Sequence, residues 1–214
     1  FDFRYEKEWW QGFSNIFAME YRQMFPTKYV GFVRPNGEEV SQIRTTQFRL
    51  GTRLSRNEIV VRQSFDKASM GSDFPIVGID LVAGLKGVLN GNYEYYRAEL
   101  SIKHDVNIAP IGYSDFMVSG GKIFNKVPYP LLKLHEGNAT YFYDPYAFSC
   151  MNFYEFASDL WAAVFWEHHF RGFFLSKIPL MKRLKWREVA TVKALWGTLS
   201  DKNNGSLADT KAIL

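Results

Sequence analysis

The chain has a single cysteine, Cys150, among 214 residues. That excludes an internal disulfide framework, leaves too little sulfur for a Cys-based metal site, and suits a packed thiol. It lacks any run of about 18 uncharged apolar residues, which excludes a transmembrane helix. A transmembrane strand is not excluded, because a strand shows lipid only every second residue. It also lacks a block of Lys or Arg. The net charge of +4 and the pI near 9.0 come from 26 basic residues interleaved with 22 acidic ones, which sets nucleic acid aside as a partner. There is no Gly-x-Ser-x-Gly elbow and no motif spacing of Ser, His and Asp. The expectation is a protein that is not an enzyme, with no catalytic residue, cofactor or metal. The chain starts at Phe1 without an initiator Met or signal peptide, which reads as a mature-protein fragment beginning inside a strand.

What is abundant is aromatic. The 19 Phe, 12 Tyr and 6 Trp make up 17% of the chain, a content suited to β-structure and to membrane interfaces. Hydrophobic residues at 47% and charged ones at 22% are ordinary for a folded protein.

The segment Phe153 to Phe170 shows how these residues are arranged. Read as a strand, its even positions (Tyr154, Phe156, Ser158, Leu160, Ala162, Val164, Trp166) form a nearly apolar face, and its odd positions place Glu155, Asp159, Glu167 and His169 on the other. Phe156 and Trp166 bracket the apolar row. At roughly 3.3 Å per residue and about 40° of tilt, the pair spans on the order of 25 Å, the height of the apolar band on an outer-membrane barrel. Trp186 and Trp196 repeat the spacing, so Tyr154, Phe156, Trp166, Trp186 and Trp196 are candidate girdle aromatics. His168 and His169 point to opposite faces and cannot share one metal.

The same period of two recurs along the chain. It runs from Phe1 to Trp9, from Phe17 toward Val33, and from Thr46 to Leu54. It returns at Ile59 to Phe65, Val77 to Leu85, Tyr96 to Val106 and around Phe116 and Val118, and again in the segment above and from Trp186 to Trp196. Gly, Asn and Pro clusters separate these runs, as at Pro35-Asn36-Gly37 and Asn90-Gly91-Asn92. About nine strands in sequence without helical crossovers predict an all-β antiparallel meander. Alternation alone also fits a soluble antiparallel β-domain. The bracketing aromatics, and polar rows that mix both charge signs, favour an up-and-down transmembrane β-barrel with a wet lumen. Residues 1–214 then form one partial barrel domain. A long loop at about 122–147 interrupts the pattern, and a connection at about 172–185 carries Lys177, Lys182, Arg183 and Lys185. These four basic residues are candidate contacts for a partner or for the membrane surface, or belong to a structured turn. Glu188, out of phase on the apolar side, is expected at a membrane edge.

A family resemblance rests on Pro75-Ile76-Val77, Gly121-Lys122-Ile123-Phe124, Val127-Pro128-Tyr129, Gly137-Asn138, Met151-Asn152, Glu155-Phe156 and Asp159. It extends through Gly172-Phe173-Phe174-Leu175-Ser176-Lys177-Ile178-Pro179-Leu180 to Arg187-Glu188. In this order they resemble the C-terminal barrel of a Bacteroidota outer-membrane family whose longer members carry an N-terminal carboxypeptidase-regulatory-like domain. That family is distantly similar to the surface-antigen barrels that assemble or translocate outer-membrane proteins. The resemblance implies a barrel of about sixteen strands, of which this chain supplies a part. It also implies a bacterial outer-membrane location, work in outer-membrane protein assembly or translocation or as an accessory subunit, and an extracellular loop at 122–147 that folds into the lumen. Lipid, periplasmic or lipoprotein partners and other barrel proteins are the implied contacts. Where the assembly barrels carry a Val-Arg-Gly-Phe/Tyr type motif at the loop tip, this chain has Glu136-Gly137-Asn138. The alternative is a structural or gated pore. Gly137, Asn138, Glu155 and Asp159 are candidate lumen residues; as structure alone they are hydrated charges, and as function the two acids anchor the infolded loop through a base such as Lys133.

Overall fold

A computed structural model describes residues 1–27, 31–62, 67–137, 144–152, 155–204 and 211–213. Eight strands form one sheet: β1 (Asp2–Trp10), β2 (Phe13–Met24), β3 (Ile43–Leu54), β4 (Ile76–Gly84), β5 (Tyr95–Ile108), β6 (Gly112–Ile123), β7 (Leu160–His169) and β8 (Val189–Thr198). Each pairs antiparallel with its neighbours in sequence. The all-β meander is as expected, but the sheet is open. Among the described residues β1 pairs only with β2 and β8 only with β7 in this sheet. The only α-helix among them is Pro179–Leu184, and no helix is long and apolar enough to cross a membrane.

Three strand boundaries differ from the sequence reading. The run at Ile59 to Phe65 is not a ninth crossing strand: Glu58–Arg62 pairs with Lys67–Ser72 in a separate hairpin between β3 and β4. Alternation cannot tell the two apart, because a hairpin off the sheet has the same period. The second strand ends at Met24, and Gly31–Val33 pairs instead with Lys211–Ile213. The strand expected from Phe153 begins only at Leu160, after a short pairing of Ala157–Ser158 with Lys133–Leu134. The even-residue phase continues across that break, so sequence parity did not show it.

The meander has two distinct ends. One, the turn end, carries Gln11-Gly12, residues 55–75, the three-residue link Ala109-Pro110-Ile111 and residues 170–188. The other, the loop end, carries the described residues of 25–42, 85–94 and 124–159 and the start of the chain beyond Thr198, at Leu199 to Asn204. The two long connections singled out in the sequence therefore lie at opposite ends.

Register sorts the side chains into two faces. One row runs Phe13, Leu54, Val77, Ile102, Val118, Val164 and Ala194 across seven strands, and every member is apolar. Another runs Tyr5, Phe17, Leu50, Leu81 and Ala98. This apolar face is open to the surroundings: Phe3 is 58% exposed, Leu81 45% and Leu100 46%. Its polar residues pair with one another. Trp9 Nε1 donates to Asn15 Oδ1 and Asn15 Nδ2 to Thr52 Oγ1, both at 2.8 Å, and Ser114 Oγ lies 2.6 Å from His168 Nδ1.

The opposite face carries Arg49, Arg53, Asp80, Glu99, Lys103, Asp105, Asp115, Glu167 and Lys193, and this is the face that is covered. The described residues of the 124–159 connection fold back over it. The main buried cluster, with Val82, Ile123 and Trp161 from the sheet and Val127 and Leu132 from the segment, lies between the two. Burial of those apolar side chains contributes about 1.5–3 kcal/mol each, enough to hold a segment that has little regular structure of its own.

Candidate functional site

The covered face is floored by glycine. Gly121 and Gly197 flank Trp161 in one cross-strand row that continues through Glu99 and Asp80. A Cβ on Gly121 would stand 2.5 Å from the Trp161 ring, and one on Gly197 would collide with Ser158 Oγ. Their missing side chains let the indole lie down on the sheet and the returning segment approach it. Lys133 of that segment sits over the Trp161 ring, 5.6 Å from the centroid, and reaches Glu99 at 3.5 Å. Next along, His135 Nε2 is 3.1 Å from Ser158 Oγ, and both residues are buried. Burial, with Lys133 adding repulsion, pushes the His135 imidazole down to about 4, so it is neutral near pH 7. Toward the turn end, Phe165 meets Tyr146 edge-on at 5.5 Å and Phe148 at 5.0 Å, and Lys193 Nζ donates to the Ala147 carbonyl at 2.7 Å.

Asp159 closes the loop end. It is 4% exposed and accepts hydrogen bonds from the Ser200 backbone N–H and hydroxyl and from Asn203 Nδ2. Burial opposes its ionisation, but the Ser200 and Asn203 donors outweigh that and hold the carboxyl below its ordinary range. Asn203, itself 1% exposed, accepts the Val127 N–H at 3.0 Å and donates to the Asn125 carbonyl. One acid thus ties the base of β7, the chain beyond β8 and the start of the infolded segment together.

The residues read from sequence distribute unevenly over this site. Asp159 is an anchor, through Ser200 and Asn203 rather than through Lys133, whose carboxylate partner is Glu99. Glu155 is not on a strand. It is exposed and, among the described residues, accepts from Asn152 at its backbone N–H (2.9 Å) and side-chain amide, so the shared face expected for Glu155 and Asp159 does not form. Gly137 bridges to Phe148 within the segment, and a Cβ there would collide with the Met151 and Asn152 carbonyls. Asn138 and Tyr154 lie outside the described residues.

Of the expected girdle, Trp166 and Trp196 are on the apolar face and Trp186 is exposed just before β8. Phe156 is instead an exposed residue of the connection, because the strand starts four residues later. Sequence reading missed Phe3, Phe48 and Tyr96, which share one cross-strand row near the loop end. Phe124 stands beside them, its N–H bonded to the Tyr96 carbonyl. A second group, Phe116 with Trp166 and the stacked pair Trp10 and Phe13, lies toward the turn end.

At that end, the 170–188 connection forms a turn at Leu175–Lys177 and the helix Pro179–Leu184. Lys177, Lys182, Arg183 and Lys185 are all exposed; Lys177 lies over the Phe173 ring at 4.6 Å. Glu188 lies just outside β8 and accepts the Phe174 and Leu175 N–H groups, capping the turn. Those backbone donors outweigh the cost of burial and lower its carboxyl. His168 and His169 do point apart: His168 faces the apolar side with Ser114, and His169 the charged side with Glu167 at 2.7 Å.

Comparison with curated proteins and with solved structures gives no match. The family model described as "Family of unknown function (DUF5686) C-terminal domain" matches residues 34–203, a span holding β3 to β8 and the whole covered face. The chain belongs to that family.

Proposed function

We propose that this chain is part of an outer-membrane β-barrel and serves outer-membrane protein assembly or translocation, directly or as an accessory subunit. The observation that carries the membrane reading is the inversion of the sheet, whose apolar face is open while its charged face is covered by a returning segment. A water-soluble sheet gains stability by covering the apolar side; exposed apolar surface of this extent marks contact with something other than water. Two aromatic groups support the same reading. From the row of Tyr96 to the row of Phe116 is eight residues, about 26 Å along the strand and on the order of 20 Å along the axis of a tilted barrel. On this reading the open edges of β1 and β8 continue into further strands, toward the about sixteen implied by the likeness to surface-antigen barrels.

The infolded segment supports the assembly reading over a simple wall, since a lumen occupied by a docked segment suits a barrel that handles polypeptide. It equally motivates a second reading, a gated pore. Purified protein in planar bilayers separates the two. Steady open channels in wild type favour the pore. Closed bilayers, together with loss of many outer-membrane proteins on depletion in cells, favour assembly. Recovery of the protein in the soluble fraction would sink both.

A further inference from the structure

Beyond the lumen segment, the charged face holds a group of side chains that the sequence reading did not connect. Asp105, Asp115 and Glu167 stand directly opposite one another on three adjacent strands, β5, β6 and β7. Like charges placed opposite cost up to about 1 kcal/mol per pair relative to neutral residues, and here two such pairs share a member. His169, two residues along β7 on the same face, completes the set. One ligand atom each from Asp115, Glu167 and His169 lies within 4.8 Å of the others. The imidazole is held in place, stacked on Tyr113 at 4.5 Å with the planes 5° apart, and Arg171 lies over the other partner of that stack at 4.9 Å from the Tyr113 centroid. Asp105 Oδ1 is enclosed and makes no hydrogen bond among the described residues. The three acids, with Tyr146 of the infolded segment, line a chamber of about 270 Å³.

From this geometry we infer that Asp115, Glu167 and His169 bind one divalent transition metal ion of the zinc type, with Asp105 as a further ligand. One nitrogen and two or three carboxylate oxygens suit a borderline ion such as Zn²⁺ better than the all-oxygen preference of Ca²⁺ or Mg²⁺. Ligands held at about 2.1 Å from one tetrahedral ion lie about 3.4 Å apart, so atoms within 4.8 Å of one another close by at most about 1.4 Å on binding. Of the nearby cations, Arg171 lies over the Tyr113 ring, Lys193 donates to the Ala147 carbonyl, and Lys103 lines the chamber beside the acids. On binding, the His169–Glu167 contact gives way to two metal bonds, and any proton on the imidazole leaves to solvent. Because Tyr146 lines the same chamber, the ion would crosslink β5, β6 and β7 beside the returning segment. The inference stands on these side chains and does not depend on the membrane reading.

Tag-free full-length protein is dialysed against micromolar Zn²⁺ and assayed for bound metal, with affinity read by titration calorimetry. The expected result is one Zn²⁺ per chain, with affinity reduced at least tenfold in Asp115→Asn, Glu167→Gln and His169→Ala, and less in Asp105→Asn. Glu38→Gln, in the connection between β2 and β3 at the opposite end of the sheet, should bind as wild type. Substituting Co²⁺ should give a visible absorption band of nitrogen and oxygen ligation that His169→Ala loses. Wild type without stoichiometric zinc, or variants of native circular dichroism that bind zinc as wild type does, would overturn the inference. Should a variant fail to fold, the wild-type stoichiometry and cobalt spectrum decide alone: an absent band overturns it.

Discussion

The two faces of this sheet are made from alternate residues of the same strands, yet they meet opposite fates. The apolar face, with rows such as Leu54, Val77, Ile102, Val118 and Val164, has no cover among the described residues. The charged face, with Asp80, Glu99 and Arg49, receives a segment that buries Val127 and Leu132 against Trp161 and Ile123. Hydrophobicity of a face therefore does not predict which face is covered here. Cover goes where the backbone leaves room, over Gly121 and Gly197, and where buried polar groups find partners, as Asp159 does in Ser200 and Asn203.

The most severe way to break this comparison is to charge the uncovered side. Leu100→Arg places a cation in the middle of the apolar face. If that face meets lipid, the substitution costs about 2–4 kcal/mol of folding free energy in bilayers. On a water-facing surface it would cost less than about 0.5 kcal/mol. Equilibrium unfolding in lipid vesicles distinguishes these outcomes.

Filling the floor of the covered side should do slightly less. Gly197→Val forces Ser158 and His135 away and costs about 1–3 kcal/mol, read as faster protease cleavage within 124–159 while the sheet's circular dichroism is kept.

Acid tests the same contact without mutation. The folded His135 titrates near 4 and an unfolded histidine near 6.5, so the unfolded or detached state binds more protons between those values. Stability of the docked segment is therefore full above about pH 6.5 and falls as pH drops toward 4. The loss is about 2 kcal/mol at pH 5, measurable as accelerated hydrogen exchange in residues 127–137, and His135→Phe should flatten the profile.

The smallest effect separates the two ends of the infolded segment. Lys133→Met removes a partly exposed ion pair and should cost less than about 1 kcal/mol, and Glu155→Gln, exposed and bonded to Asn152, less than about 0.5 kcal/mol. A large loss in Glu155→Gln would restore the anchoring role that the geometry assigns to Asp159.

Much of the sheet could be read from period alone, because Tyr96 to Lys103 in β5 alternates without a break and Val77 to Ala83 in β4 departs only at Val82. What parity could not resolve was membership. Ile59 and Val61 alternate as cleanly in a detached hairpin as they would in a crossing strand, and Phe156 keeps the phase of Leu160 across a break. The site was hardest to read because its contacts are long in sequence. Asp159 meets Asn203 at a separation of 44 residues, and Asp115 meets Glu167 at 52, through a register that depends on where β6 and β7 begin. The in-strand glycines Gly121 and Gly197, costly in a strand unless something approaches closely, are the signal in the sequence that could have pointed to the covered face.

The position of Asn203 sets a sequence of events. Each strand bonds to its chain neighbour, so the sheet can grow hairpin by hairpin, starting from pairs such as β5 and β6 whose link is three residues long. The clasp on Val127 comes from beyond β8, 76 residues downstream. The returning segment cannot be latched until the last of the eight strands is laid down.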